Sequence, residues 1–293
     1  MAHSLAEKEK REGALYVVST PLGNLEDITL RALRILKEVD LVAAESVERS
    51  RNLCRHYGIK ARLTSYNQHN QRAKTPELIS RLKSGLNIAL VTNAGTPGVS
   101  DPGVYLVNQA LQENIRVTPI PGPSAVASAL SVSGLRGEKF LFWGFLSNKS
   151  SKRKKELKAL VSMPHTIVFF EAPHRLKETL ADLADIFGDR PLGLIREMTK
   201  VFEDVKRGSA RSLLIQLQPE HLKGEFTLVV AGKEKGVDEA FLDDEIRKEI
   251  EKLLTVRGMT LRDIAQRLSS ETGVAYRDVY KAALLAKRRA QPR

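Results

Sequence analysis

At 293 residues the chain exceeds the usual length of one domain and has room for two. Hydrophobic residues make up 42% and charged residues 28%, the balance of a soluble globular protein, and no apolar run approaches the length of a membrane-spanning helix. A net charge of +12 and a pI near 9.7 favour a polyanionic partner, either nucleic acid or an anionic membrane face. Cys54 is the sole cysteine, which excludes an intramolecular disulfide and a thiolate zinc cluster and fits a reducing, intracellular location. On its helical stretch Cys54 reads as a small core residue.

The opening stretch MAHSLAEKEKREG is polar and lacks an apolar signal region, so residues 1–12 are expected to form a frayed tail. Ala14–Ser19 reads as a first strand that ends in the breaker loop Thr20-Pro21-Leu22-Gly23-Asn24. Leu30, Leu33, Leu36 and Val39 at helical spacing predict a helix over 29–39, followed by a strand at Leu41–Ala44 and a helix at Val47–Tyr57. A polar stretch, 64–70, precedes a helix predicted from Pro76 to Leu82. The short apolar run Asn87–Val91 reads as a buried strand of a parallel sheet. It enters a loop containing Gly95, Pro97, Gly98, Pro102 and Gly103, where glycines admit close approach of a ligand and prolines stiffen the backbone. A helix from Gly103 to Leu111 follows, with Asp101 suited to its cap and Pro102 to its first position. Strand, rigid loop and helix together make a ligand cradle at the carboxyl end of a strand. With Arg116–Ile120 as the next strand, the pattern is βαβαβαβ and predicts a mostly parallel sheet over 13–121.

A second α/β set is expected over 122–235. Pro121-Gly122-Pro123-Ser124-Ala125 opens a small-residue helix to Ser131 that Ser124 can cap. Phe140–Leu146 is an aromatic strand whose rings read as core. The basic run from Asn148 to Lys158 carries Lys149, Lys152, Arg153, Lys154 and Lys155, and in so basic a chain it is the best candidate for phosphate contact. Thr166–Phe170 leads into Glu171-Ala172-Pro173-His174-Arg175 and a helix to Phe187; Pro191–Glu197 is a further strand, then a short helix at Leu213–Leu217 and a last strand at Gly224–Val230. Residues 236–293 carry helical patterns without strands, and the segments either side of Gly273 resemble a helix-turn-helix pair.

No GxGxxG dinucleotide fingerprint, Walker A loop, GxSxG elbow or HExxH helix occurs, and no metal site is expected. The three breaker loops at 20–24, 93–103 and 121–125 each follow an apolar strand, so their backbones can converge on one folded organic cofactor. Such a pocket facing polar strand ends suits group transfer, where positioning of donor against acceptor does most of the work.

These motifs occur in order: Thr20-Pro21-Leu22-Gly23-Asn24, the run from Ala94 to Gly103, Pro121-Gly122-Pro123-Ser124-Ala125, Glu171-Ala172-Pro173-His174-Arg175, Arg196-Glu197-Met198-Thr199-Lys200 and Gly224-Glu225-Phe226. Together they resemble the ribosomal RNA small subunit methyltransferase I family of the tetrapyrrole methylase superfamily, from about Ala14 to Gly232. The resemblance implies a two-lobed class III S-adenosylmethionine methyltransferase fold with a small helical C-terminal domain. It further implies a cytoplasmic homodimer that 2′-O-methylates a cytidine in the decoding region of 16S rRNA within the small ribosomal subunit. Carried over by motif, the cofactor would lie against Pro21, Leu22, Asn93, Ala94, Gly95, Thr96, Val99, Ser124, Ala125, Ala172 and Phe226, and Arg175 and Lys200 would join the basic run on the RNA. The family usually reads SDAGTP where this chain has Thr92-Asn93-Ala94-Gly95-Thr96-Pro97, and AEDTR where it has Ala44-Glu45-Ser46-Val47-Glu48-Arg49.

A ribose hydroxyl is a poor nucleophile, so a base or an electrostatic stabiliser is expected. Asp101, Glu197 and His174 are candidates for the base, and Arg196 and Lys200 for stabilising charge. Each has a structural alternative: a helix cap for Asp101, a helix start for His174, an ion pair with Arg196 or Arg207 for Glu197. A precorrin-type methylase would share the cradle but give no reason for the basic run, and a non-enzymatic nucleic-acid binder would not need the three loops. A nucleotide- or NAD-binding enzyme would need a phosphate fingerprint.

Overall fold

The computed structural model describes residues 13–218, 222–233, 244–256 and 258–290, with only the backbone of 244 and 288–290 described. The tail expected over 1–12 and the last three residues of the basic C-terminal end lie outside the described residues. The chain divides into two compact units after Gly232, three residues before the boundary expected from composition.

The first unit contains two five-stranded sheets. Strands β1 (Ala14–Val18), β2 (Leu41–Ala44), β3 (Leu63–Ser65), β4 (Ile88–Val91) and β5 (Arg116–Ile120) form one sheet in the order β3-β2-β4-β1-β5, with every neighbouring pair parallel. All four residues of β2 and of β4 are buried, as a strand covered by helices on both faces requires. On one face, α1 (Leu30–Glu38) and α2 (Val47–His56) pack Ala32, Ile35, Leu36 and Cys54 against Val18, Val42, Ala44 and Val91. Burial there pushes the Cys54 thiol pKa up, as befits a core residue. On the other face, α3 (Gln71–Lys83) and α4 (Val104–Gln112) bring Leu78, Leu82, Leu106 and Ala110 against Leu15, Ala43, Ile88 and Leu90.

The second sheet is mixed. Its strands β6 (Phe140–Phe145), β7 (Thr166–Glu171), β8 (Pro191–Arg196), β9 (Asp204–Ser209) and β10 (Phe226–Val230) run β6-β7-β10-β8-β9, parallel only between β6 and β7. α5 (Ala125–Ser133) covers one face through Val126 and Ala129 against Val168, Ile195 and Val229. α6 (Ser150–Leu160), α7 (Leu176–Phe187) and α8 (Ala210–Ile215) cover the other around Leu157, Leu180, Leu183, Phe187 and Leu213.

Four elements depart from the sequence reading. β3 and β9 are edge strands paired on one side only, so they bury too little apolar surface to leave an alternating pattern. α3 starts five residues before Pro76, because Thr75 Oγ1 donates to Gln71 O at 2.6 Å and the fully buried Tyr66 packs its hydroxyl 3.2 Å from Thr75 Oγ1. The basic run is α6 itself, and its Arg153 is buried. Arg153 Nε donates to Asp182 Oδ2 at 2.7 Å, Nη2 to Glu178 at 3.3 Å and Nη1 to Asn148 O at 3.3 Å. Arg153 is therefore a clasp between α6 and α7 and is corrected from the RNA surface; Lys154 pairs with Asp182 at 3.2 Å, while Lys149, Lys152 and Lys155 point to solvent.

The second unit comprises α9 (Asp244–Leu254), α10 (Leu261–Thr272) and α11 (Tyr276–Ala290) around Ile250, Leu253, Ile264, Leu268, Val279 and Ala283. Thr260 and Asp263 form a capping box at the start of α10, and Gly273 ends it in the left-handed region at φ 72°.

Removing one member of a buried ion pair leaves the other charge uncompensated. Arg153→Ala is expected to cost about 3–5 kcal/mol in urea unfolding, with Arg153→Met combined with Asp182→Leu recovering most of it. A single-variant loss below about 1 kcal/mol would contradict the clasp.

Candidate functional site

The site is built from loops at the carboxyl ends of β1 and β4. Thr20 and Gly95 exchange two backbone hydrogen bonds, each 2.9 Å, so the two loops form one miniature antiparallel bridge. Ser19 Oγ lies 2.9 Å from Thr96 Oγ1, and Thr20 Oγ1 donates to Thr92 O at 3.0 Å. Gly95 takes φ 73° and Gly98 φ 84°, which is why breakers recur here. The chain turns back so sharply at Gly103 that a Cβ there would lie 3.0 Å from Leu90 Cδ2. Gly103, not Asp101, is the N-cap of α4, and no side chain caps that helix. The expected capping role of Asp101 is thus corrected. At α5 the cap is as expected, with Ser124 Oγ accepting from Ala127 N at 3.4 Å.

The second sheet supplies the opposite wall. Glu171, at the end of β7, is buried and fully partnered: Oε1 accepts from Ala172 N at 2.7 Å and Arg175 Nη2 at 2.8 Å, and Oε2 from Thr179 Oγ1 at 2.6 Å. Arg175 also donates to Leu146 O at 3.2 Å, so it fixes this loop and is corrected from the RNA-contacting set. Glu197 accepts from Lys200 Nζ at 2.9 Å and from Glu225 N at 2.9 Å. Burial raises the Glu197 carboxyl pKa, but Lys200, the Glu225 N–H and Arg196 outweigh it and leave it below its ordinary value. Burial likewise pulls Lys200 down, and its bonds to Glu197 and Glu225 outweigh that and leave it raised.

The two walls touch. Asn24 N donates to Thr199 Oγ1 at 3.0 Å, and a Cβ on Gly23 would run into the Lys200 side chain. In β6 the register slips between Phe142 and Gly144, a bulge that sets Gly144 at φ 81° with room for no Cβ beside Ser100 Oγ. Ser100, Glu197 and Thr199 are non-glycine residues at positive φ, at 61°, 50° and 64°, and all three flank this junction.

Between the walls lies a cavity of about 320 Å³. Of the residues assigned to cofactor binding, Leu22, Ala94, Gly95, Thr96, Val99, Ser124, Ala125, Ala172 and Phe226 line it. Pro21 and Asn93 do not; they line a neighbouring cavity of about 270 Å³ on the other side of the Thr20–Gly95 bridge. Asp101 lines the main cavity. His174 is exposed on a single 3₁₀ turn outside it, and Arg196 Nε is spent on Lys223 O at 2.9 Å, so neither reaches the cavity wall. The sequence reading missed Val126, Phe145, Phe170, Met198 and Thr227. Phe145 and Phe170 both lie near the carboxyl ends of their strands, the signal that would have marked them.

Asp101 is the electrostatic centre of the wall. Burial, followed by the nearby carboxylate of Glu45, pushes its pKa up to about 6, with the Thr92 hydroxyl opposing and Glu225 adding to the rise. Glu45 is itself held in place by Asn93 N, which donates to its Oε2 at 3.0 Å. Among the described residues no cluster of three or more His, Cys, Asp or Glu side chains is placed to hold a metal ion, and no helix is long and apolar enough to cross a membrane.

Residues 14–214 match the family model for tetrapyrrole (corrin/porphyrin) methylases. The chain is 41% identical to ribosomal RNA small subunit methyltransferase I of Bacillus subtilis, covering 92% of this chain and 94% of that protein. It is 39% identical to the protein of that name in Escherichia coli O157:H7, covering 94% and 96%. Among solved structures, diphthine synthase superposes with a TM-score of 0.57 at 18% identity over 75% of this chain and 90% of that one. A uroporphyrin-III C-methyltransferase from Thermus thermophilus complexed with S-adenosylhomocysteine superposes with a TM-score of 0.54 at 18% identity, over 75% and 98%. These two share the fold. With two α/β sheets, the loop cradle and the aligned relatives in agreement, the chain belongs to the tetrapyrrole methylase family, alongside the ribosomal RNA small subunit methyltransferases I.

Proposed function

We propose that this protein is an S-adenosylmethionine-dependent methyltransferase that acts on small-subunit rRNA and methylates the ribose 2′-oxygen of a cytidine. The observation that carries this reading is the cavity between the two sheets, with Asp101 on its wall. The lining fits the donor in kind: Leu22, Phe145, Phe170, Met198 and Phe226 offer apolar faces for a purine, and Asp101 and Glu225 offer carboxylates near a cationic sulfonium. When bound, S-adenosylmethionine supplies an electrophilic methyl group.

What the chain contributes is positioning and proton transfer. The Thr20–Gly95 bridge holds the cradle, and the Glu171–Arg175–Thr179 latch and the Lys200–Glu197 pair hold the facing loops. Asp101 takes the proton of the attacking hydroxyl as the carbon–oxygen bond forms and the carbon–sulfur bond breaks. With a pKa about 6 it is ionised at neutral pH and still basic enough to act. Glu197, held low by Lys200, is a weaker base and serves the loop.

The net charge of +12, with Lys149, Lys152 and Lys155 exposed, favours RNA over a small tetrapyrrole acid as substrate. The full-length likeness to the rRNA methyltransferases favours it too. Action as a homodimer, on the assembled small subunit and in the cytoplasm, belongs to the same proposal.

Transfer of labelled methyl to isolated small ribosomal subunits tests the function, and a corrinoid precursor as the preferred acceptor would contradict it. Asp101→Asn is expected to lower transfer by about 10²–10⁴-fold. It should also remove the acid limb of the pH–rate profile, which in the parent protein rises through an apparent pKa of about 6 as Asp101 loses its proton. Glu197→Gln should keep that limb; an acid limb unchanged in Asp101→Asn would exclude Asp101 as the base. Gly95→Val, which forces a β-branched residue into φ 73°, should weaken S-adenosylhomocysteine binding in calorimetry by about ten-fold or more, and unaltered binding would remove this loop from the cradle.

A further inference from the structure

The cavity of about 270 Å³ beside the main one is not absorbed by the methyl-donor site. Its floor is the Thr20–Pro21–Leu22–Gly23 loop, and its far side is the middle of α2, through Arg49, Ser50, Asn52 and Leu53. Thr92 and Asn93 form the wall toward the main cavity, and Leu22 lines both. The two cavities are thus separated by the same short segment that holds the carboxyl pair: Asn93 N binds Glu45, and the Thr92 hydroxyl faces Asp101.

The chemistry of the lining is distinctive. Pro21, Leu25 and Leu53 supply flat apolar surface, Asn52 and Asn93 supply amides, and Arg49 supplies a guanidinium at an exposed position. Among the described residues the Arg49 and Asn52 side chains have no hydrogen-bond or ion-pair partner, and Asn93 Oδ1 is shut from solvent without one. Asn93 sets a neutral amide in the wall, and none of the lining residues is acidic. One free cation in a pocket without acids suits a ligand bearing a phosphate.

We propose that this second cavity is a nucleotide subsite that receives the target nucleotide of the RNA. The base packs on the apolar surface within reach of the Asn52 and Asn93 amides, and Arg49 meets an adjoining phosphate. The volume, close to the lower end of small-molecule pockets at roughly 300 Å³, suits one nucleoside rather than a stacked pair. Single nucleotides of RNA are read in this way, by stacking and hydrogen bonds to an unpaired base edge. The ribose then points past Leu22, the residue the two cavities share, toward the side where Asp101 stands. This inference rests on the reading of the main cavity as a methyl-donor site.

The test is saturation-transfer NMR and calorimetry with cytidine 5′-monophosphate as the probe, in the presence of saturating S-adenosylhomocysteine. Binding with a Kd of roughly millimolar order is expected, uncoupled from the donor site. Asn52→Trp, which fills the cavity from an exposed helix position, should abolish it while leaving S-adenosylhomocysteine affinity and the thermal midpoint unchanged. Arg49→Gln should weaken it by about ten-fold and raise the KM for small subunits by a similar factor. Competition between the two ligands, absence of nucleotide binding, or binding indifferent to Asn52→Trp would each overturn the inference. If the nucleotide binds but small subunits are not methylated, the rRNA reading fails and the nucleotide site stands. If subunits are methylated without such a site, only the subsite falls.

Discussion

Two backbone hydrogen bonds between Thr20 and Gly95 set the geometry on which the remainder depends. They lock the loop after the central strand β1 to the loop after its neighbour β4, at the point where a parallel sheet offers its carboxyl ends. Because both loops leave buried strands, their positions are fixed by core packing rather than by loop chemistry. Gly95 can supply the second half of the bridge because it tolerates φ 73°. Everything the loops present, from Leu22 to Asp101, inherits its place from that pairing.

The second sheet completes the site by a different device. Its loops are held by charge: Glu171 by Arg175 and Thr179, Glu197 by Lys200 and the Glu225 N–H. These carboxylates are spent on structure, whereas burial raises the proton affinity of Asp101 on the cavity wall. Two carboxylates with pKa values pushed apart by their environments suit a division of labour in which Glu197 orders a loop and Asp101 serves the proposed proton transfer.

Much of this was legible in the amino-acid order, and the reasons differ by element. Strands β2 and β4 were readable to the residue, or nearly so, because a doubly covered parallel strand must be continuously apolar. The cradle was readable because glycine and proline clustered after those strands. β3 and β9 were not, since an edge strand buries little. Arg153 misled because a lysine-rich helix gives no local hint that one cation turns inward; Asp182 and Glu178, on another helix, explain it. The same holds for Asp101, whose neighbours Glu45 and Glu225 come from distant segments, and for Asn93 and Pro21, which fall on the far side of the Thr20–Gly95 bridge. Sequence order identified the loops; which way each side chain faces was decided by contacts between distant segments, such as Arg153 with Asp182 and Asn93 with Glu45.

In the proposed reaction a sugar hydroxyl of small-subunit RNA is brought to the wall that carries Asp101. Nucleoside mass spectrometry of small-subunit rRNA, taken before and after incubation with the protein and its methyl donor, addresses that claim most directly. A gain of 2′-O-methylcytidine, and of no base-methylated nucleoside, is the predicted result. Label appearing on a base, or no gain in the RNA while a small tetrapyrrole acid is methylated, would contradict it.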